Sequence, residues 1–310
     1  MAQTSNISIY SALLGNLAVA VIKFGAFALS GSSAMLTEAI HSLVDTANQL
    51  LLLFGLYRGA RPPDEDHPFG HGMEVYFWTF VVSLLIFALG GAVAVYQGIL
   101  KLLHPAPIAH AGLGMAVIGL SAVFEIVSLA ISRRAAEKTR SAIARRFYPK
   151  LSLLRAIHIS KDPSVFEVFA EGLAAVVGLA FAAAGLAGSA WLGWGPADGI
   201  ASIAIGLLLA VVAFVLGSET RSLLTGEAAA KPVVDEVRSI LTADARVRDV
   251  CEVQSMHLGP EEILVAATLD FDDSLSGPQL EEAADELTDR LKAADRRITR
   301  LFLRPGRAKD

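Results

Sequence analysis

Six stretches of this chain, at about residues 8–29, 33–57, 74–102, 111–132, 164–187 and 198–217, are apolar over lengths that match the hydrocarbon of a bilayer. A helix needs about 20 such residues to span roughly 30 Å. Lipid offers no partner to a backbone N–H or C=O, so segments of this kind must satisfy their own hydrogen bonds as helices. A composition of 54% hydrophobic and 18% charged residues, with a mean hydropathy of +0.52, agrees and excludes an ordinary soluble protein. The expectation is an α-helical membrane protein with six transmembrane helices embedded in a lipid bilayer.

The charges fix the expected orientation. Connections at 30–33, 103–110 and 188–197 hold no Lys or Arg, whereas 133–162 holds Arg133, Arg134, Lys138, Arg140, Arg145, Arg146, Lys150, Arg155 and Lys161. By the positive-inside rule this basic stretch is cytoplasmic, together with both termini and the 58–73 loop. Topology accounts for the basic run, so no nucleic acid is expected as a partner, and the net charge of -5 gives no general attraction to one. The start, MAQTSNIS, has neither a basic n-region nor a small-residue cleavage site, and no removable signal peptide is expected. Arg in excess of Lys and abundant Ala point to a bacterial inner membrane.

From about residue 226 the texture becomes that of a soluble domain, giving an expected division into 1–225 and 226–310. KPVVDEVRSILTA carries a Pro near its start and apolar residues at helical spacing. VRDVCEVQSMHLG and EILVAATLDF read as strands about a Gly-Pro turn, GPQLEEAADELTDRLKAA as an amphipathic helix and RITRLFLRP as a last strand. The order αββαβ suits a small cytoplasmic α+β domain of ferredoxin-like type, a sheet with helices on one face.

Within the second span, TEAIHSLVDTANQ places Glu38, His41, Asp45 and Asn48 three, four and three residues apart. On a helix these fall within about 80° of arc and form one polar stripe. An ionisable group at the bilayer centre costs about 2.5 to 3.5 kcal/mol on insertion scales, so such a stripe faces a bundle interior or a watery cavity. The fifth span carries Glu167 and Glu171 four apart on one face, where two ionised carboxylates repel. Protonation or a divalent cation held between the helices would relieve that repulsion. One imidazole and three carboxylates suit Zn²⁺, Mn²⁺ or Fe²⁺. Simple hydrogen bonding between helices is the plainer alternative. Lys23 and Glu125, inside the first and fourth spans, are candidates to pair, gate or snorkel, with snorkelling expected of Lys23, and Asp198 is expected to act as a helix N-terminal charge.

The loop RPPDEDHPFGHG holds Asp64, His67 and His71 within eight residues, a set that can reach one cation, although a solvated polar loop shares the pattern. A single cysteine, Cys251, excludes an internal disulfide and any CxxC clamp.

GSSAMLTEAIHSLVDT, then HPFGHG, then YFWTFVVSLLIFALGGAVAVYQGI and DGIASIAIGLLL, taken in that order, resemble the cation diffusion facilitator family of divalent-metal transporters. The text is most similar to the branch that includes the eukaryotic zinc transporter nine group and its bacterial relatives. The resemblance implies a membrane transport site at His41, Asp45, Glu167 and Glu171, and a cytoplasmic loop site at Asp64, His67 and His71. The glutamate pair departs from the familiar His-then-Asp of the fifth span. A two-metal cluster found in the cytoplasmic domain of some members is largely missing, with Cys251 and Thr268 at two of its positions and Cys251 and His257 left as weak candidates. A Lys–Asp interlock that joins some dimers falls on Met73 and Thr225, while a homodimer through the cytoplasmic domain stays the expectation. The implied activity is divalent cation efflux by exchange with protons, with Zn²⁺ first and Mn²⁺, Fe²⁺ or Co²⁺ as alternatives. A membrane metalloenzyme and a non-transporting metal sensor are the competing classes. The first lacks an HExxH arrangement, the second a ligand-rich cytoplasmic domain, and no enzymatic activity is expected.

Overall fold

A computed structural model describes residues 2–104, 110–146 and 163–307. The helical part contains α1 (Ala2–Ser30), α2 (Ser33–Gly59), α3 (Met73–Leu85), a π-helical turn (Ile86–Ala92), α4 (Val93–Leu103), α5 (Ala111–Arg146), α6 (Pro163–Ala190) and α7 (Ala197–Leu224). Five segments are long and apolar enough to cross a membrane: Met35–Gly59, Met73–Leu103, Ala111–Ile131, Phe166–Ala190 and Ala197–Leu224. α1 contributes the shorter apolar stretch Asn16–Leu29.

Burial follows the logic of a lipid solvent. Met35, Val44, Val82, Ile86, Leu179, Leu186, Ile205 and Leu209 pack in the bundle core. Phe87, Val123, Phe124, Val211 and Phe214 point outward, where lipid tails are as favourable as a core. α5 runs on as a helix to Arg146, well past its apolar stretch, so Arg133 and Arg134 project from it as exposed side chains. Lys150, Arg155 and Lys161 lie outside the described residues.

The third expected span is one continuous rod broken in hydrogen-bond register by the π turn, which the apolar pattern did not signal. Gly90 and Gly91 sit in that turn. An added Cβ at Gly91 would lie 3.2 Å from the carbonyl of Gly206 on α7, and one at Gly98 would lie 2.7 Å from the carbonyl of Gly199. α4 and α7 therefore touch backbone to backbone, a closeness that small residues permit in membranes.

The C-terminal unit consists of α8 (Lys231–Thr242), β1 (Val247–Gly259), β2 (Glu262–Phe271), α9 (Gly277–Ala294) and β3 (Ile298–Pro305), the expected αββαβ order. Its sheet has three strands in the order β1-β2-β3. β1 and β2 pair antiparallel, and β3 returns through α9 to pair parallel with β2, matching Ala267 to Leu303. Val233, Val237 and Leu241 of α8 and Ala283, Leu287 and Leu291 of α9 recur every fourth residue, a stripe at helical period. They bury against Ile263, Val265, Ala267 and Leu269, alternate residues of β2, so both helices cover one face of the sheet. Ser276 and Gln279 form a capping box that starts α9.

The helical part and the sheet meet at the loop after α2. Gly72 packs against the backbone of β1, where an added Cβ would meet the Leu258 carbonyl oxygen and lie 3.1 Å from Gly259 Cα. Phe69 meets Phe302 of β3 edge to face at 6.5 Å between centroids.

Asp244 ties the end of α8 to α9. Arg246 donates to it from Nε and Nη2, both at 2.9 Å, and Arg290 Nη1 donates at 3.0 Å. These bonds, those from Arg246 first, lower its carboxyl from 3.8 to about 2. A lowered folded value means the stabilisation is present above pH 3.8 and is lost as the pH falls through about 2. Thermal unfolding in detergent between about pH 5 and pH 2 should show an acid-side fall that Asp244→Asn flattens, because Asn cannot titrate.

Candidate metal centres

α2 begins at Ser32, whose side chain accepts from Met35 N, after a turn at Gly31 with φ of 65°. From there the helical period sets Glu38, His41, Asp45 and Asn48 along one side, and all four are buried within the bundle. His41 Nδ1 lies 3.4 Å from Asp45 Oδ1. The other imidazole nitrogen, His41 Nε2, has no hydrogen-bond partner, and neither has Asp45 Oδ1 or Asn48 Oδ1. On α6, Glu167 is 1% exposed and its Oε2 is likewise unpartnered. Each such atom costs roughly 1–3 kcal/mol when buried without a bond. Four of them in one bundle mark a place where a charged or hydrogen-bonding guest would be stabilised.

The structure joins the two halves of the expected membrane site through a residue not counted as a ligand. Asn48 Nδ2 donates to Glu171 Oε1 at 2.7 Å, linking α2 to α6. His41 pairs with Asp45, while among the described residues the four membrane positions do not bring three donor atoms to within 4.8 Å of one another. Glu125 of α5 stands within electrostatic reach of Asp45, Lys23, His41 and Glu38.

One expectation is corrected and one is extended. Lys23 does not snorkel: it is 1% exposed and donates to Glu38 Oε2 at 3.2 Å and to Ser42 Oγ at 2.8 Å. A carboxylate of opposite sign on the neighbouring helix outweighs escape to the interface. The sequence signal was one isolated cation in the first span and a carboxylate-bearing stripe in the second. Asp198 does begin α7, yet it also accepts from Ser32 Oγ at 2.6 Å, from Ser33 N at 2.8 Å and from Ser33 Oγ at 2.9 Å. It fastens the α1–α2 turn to the start of α7.

The loop set converges as its spacing suggested. Donor atoms of Asp64, His67 and His71 all lie within 4.8 Å of one another. Gly70, with φ of 95°, turns the chain back, and Glu74 N bonds to His71 O as α3 begins. His71 Nε2 sits 2.9 Å from Asp64 Oδ2, and His67 N donates to Asp64 Oδ1 at 2.7 Å. The His71 hydrogen bond, then the His67 backbone N–H, hold the Asp64 carboxyl below its usual value, so it stays an ionised acceptor. The two rings lie 4.2 Å apart, with His71 buried and His67 and Asp64 exposed. An imidazole, a carboxylate and a second imidazole with one open side form a donor set that a divalent cation can enter from water. Beside it a cavity of about 550 Å³ is bounded by Phe69, Glu74, Leu224, Met256 and Leu258.

Cys251 Sγ contacts Gly306 O at 3.6 Å, and His257 is buried. Neither belongs to a group of three potential ligands among the described residues.

Membrane-length helices around buried acid–base side chains, joined to a small sheet domain at an Asp–His–His loop, define an integral multi-pass membrane protein. Residues 9–225 match the family described as the cation efflux transmembrane domain. The chain is 33% identical over 251 residues to the proton-coupled zinc antiporter SLC30A9, mitochondrial, of Xenopus laevis, a match that covers 81% of this chain and 44% of that protein. It is 32% identical over 269 residues to metal tolerance protein C4 of Arabidopsis thaliana, covering 87% and 58%. With the cation-efflux pump FieF of Klebsiella pneumoniae it shares 27% over 271 residues, covering 87% and 82%. The chain belongs to the cation efflux, or cation diffusion facilitator, family, whose antiporter and pump members are transporters and not enzymes. It spans about half the length of the antiporter and the tolerance protein.

Asn48→Leu keeps the volume of the side chain but strips Glu171 of its donor. The metal-free protein should lose roughly 1–3 kcal/mol of stability, read as a lower midpoint in thermal unfolding.

Proposed function

We propose that this chain exports a divalent cation in exchange for protons, with Zn²⁺ the first choice and Mn²⁺, Fe²⁺ and Co²⁺ as alternatives. The observation that carries the reading is the buried His41–Asp45 pair on α2, with unpartnered donor atoms, joined by Asn48 to Glu171 on α6. His41, Asp45, Glu167 and Glu171 hold the cation in the membrane. Metal binding requires a neutral imidazole and ionised carboxylates, so it releases protons, and reprotonation of the same groups expels the ion. Three carboxylates beside one imidazole make a harder donor set than a His-rich one, which keeps Mn²⁺ and Fe²⁺ in contention. The zinc named for the SLC30A9 antiporter supports Zn²⁺ as the first ion to test.

In this reading α1 supplies a sixth crossing, and the even count puts both termini on the cytoplasmic side of a bacterial inner membrane. Residues 1–225 form the transport domain and 226–310 the cytoplasmic, ferredoxin-like domain, a division supported by the end of the family match at 225. The protein works as a homodimer through that domain, without a charge interlock at Met73 and Thr225. Asp64, His67 and His71 hold a second ion at the membrane surface, supported by their convergence.

Uptake into proteoliposomes carrying a pH gradient tests the transport site metal by metal. Asp45→Ala and Glu171→Ala should lower the initial rate at least roughly tenfold, in line with the loss in affinity when a metal shell is disturbed. Rates equal to wild type would falsify the site assignment. For the loop, equilibrium dialysis against Zn²⁺ should show His71→Ala weakening one class of bound ion by about 10–100-fold while the other class is unchanged. Loss of neither class would remove the loop from the reading.

A further inference from the structure

We propose that Lys23 and Glu38, seated against Gly178, close the path between the transport site and the side of the membrane away from the C-terminal domain. They act as positioning residues for transport and not as ligands. The proposal rests on the reading of His41, Asp45, Glu167 and Glu171 as the cation site.

The helix directions define the two sides. α2 runs from the turn at Gly31 to the 60–72 loop, whose Gly72 lies on β1 of the C-terminal unit. Residues that precede His41 on α2 are therefore farther from that unit than the site is. α6 leads away from it toward the turn before α7, which itself returns to the C-terminal unit. Gly178, about two helical turns beyond Glu171, lies on the far side as well.

Two contacts between α2 and α6 bracket the His41–Asp45 pair. On the near side Asn48 bonds Glu171 at 2.7 Å. On the far side Glu38 Oε1 abuts Gly178, where an added Cβ would fall 2.7 Å from that oxygen. The absence of a side chain at 178 is what lets the carboxylate rest on α6. The other oxygen, Oε2, is held by Lys23 Nζ at 3.2 Å, and Lys23 also donates to Ser42 Oγ at 2.8 Å. One fully buried carboxylate thus gathers α1, α2 and α6.

This contact occupies the space between α1, α2 and α6 on the far side of the His41–Asp45 pair. Lys23 is within electrostatic reach of Asp45 and Glu125, so the Lys23–Glu38 pair lies beside the site. A cation moving from His41 and Asp45 toward the far side would meet the Lys23–Glu38 pair with the space against α6 already occupied. Asp45 on α2 and Glu125 on α5 are other charged groups within electrostatic reach of Lys23, and among the described residues its ion pair is with Glu38. Departure to the far side requires the Lys23–Glu38 pair to swing away from Gly178 together, because either charge left alone in the bundle is unfavourable.

The test uses the full-length chain with Cys251→Ser and a reporter at Ala175→Cys. Ala175 is buried on α6, four residues beyond Glu171 and three before Gly178. A charged, membrane-impermeant thiosulfonate is applied to one side or the other of oriented vesicles. Labelling from the far side should be slow with the pair intact. In Glu38→Ala and Lys23→Met it should rise at least roughly tenfold, while labelling from the C-terminal side changes less than about twofold. The exchanged pair Lys23→Glu with Glu38→Lys should bring the far-side rate back toward its starting value, which a general loosening of the bundle would not do. If the pair variants fail to fold, Gly178→Ala displaces Glu38 without altering any charge and should raise far-side labelling in the same sense. Far-side rates equal to the starting protein in all folded variants overturn the proposal. Asp45→Ala transporting as wild type would sink the site reading instead, so the two failures are told apart.

Discussion

A polar atom inside hydrocarbon has nowhere to turn except to another polar atom. That constraint organises the helical part of this protein. Its buried ionisable groups do not scatter: Lys23 meets Glu38 and Ser42, His41 meets Asp45, Asn48 meets Glu171, and Asp198 collects Ser32 and Ser33. Each contact except the His41–Asp45 pair joins two helices, so the same bonds that satisfy the side chains also define how the helices stand. Buried polar atoms of this set left without a bond, His41 Nε2, Asp45 Oδ1, Asn48 Oδ1 and Glu167 Oε2, lie on α2 and α6, where the cation site is proposed.

Much of this was legible from residue order because lipid makes demands that sequence must meet openly. Apolar length marked the spans, a break in texture near 226 marked the sheet domain, and its αββαβ order followed from alternation in the strands and every-fourth spacing in α8 and α9. The Asp64, His67 and His71 set was visible as a candidate because all three sit within one short loop, and the turn at Gly70 is what brings them together. Pairing across distant helices was harder. Nothing local to Asn48 says that its amide faces Glu171, 123 residues later. Lys23 misled because a long flexible cation usually reaches for water, and only the position of Glu38 on the next helix decides otherwise. The π turn was hidden for a different reason: its residues are as apolar as the α-helices on either side, so hydropathy carries no mark of the extra residue.

The helical part divides mechanically by how its helices touch. The π turn and α4 meet α7 glycine to glycine, at Gly91 with Gly206 and at Gly98 with Gly199, with Val95, Leu102 and Ile203 packed around the contacts. α2 and α6 meet instead through polar side chains that can change partner. At the other end, Gly72 against Leu258 and Gly259 makes a similarly direct backbone contact between the loop and the sheet.

The amide of Asn48 has one property its neighbours lack: its charge is the same at every pH the protein meets. Its N–H can be donated to Glu171 whether that side chain carries a proton or not, so the α2–α6 strap survives a change of ionisation on the residue it holds. Around it stand groups whose charge is free to vary. If protons exchange at His41, Asp45 and the two glutamates as proposed, one helix-to-helix link stays outside that traffic, and the geometry of the pocket need not dissolve each time its occupancy turns over.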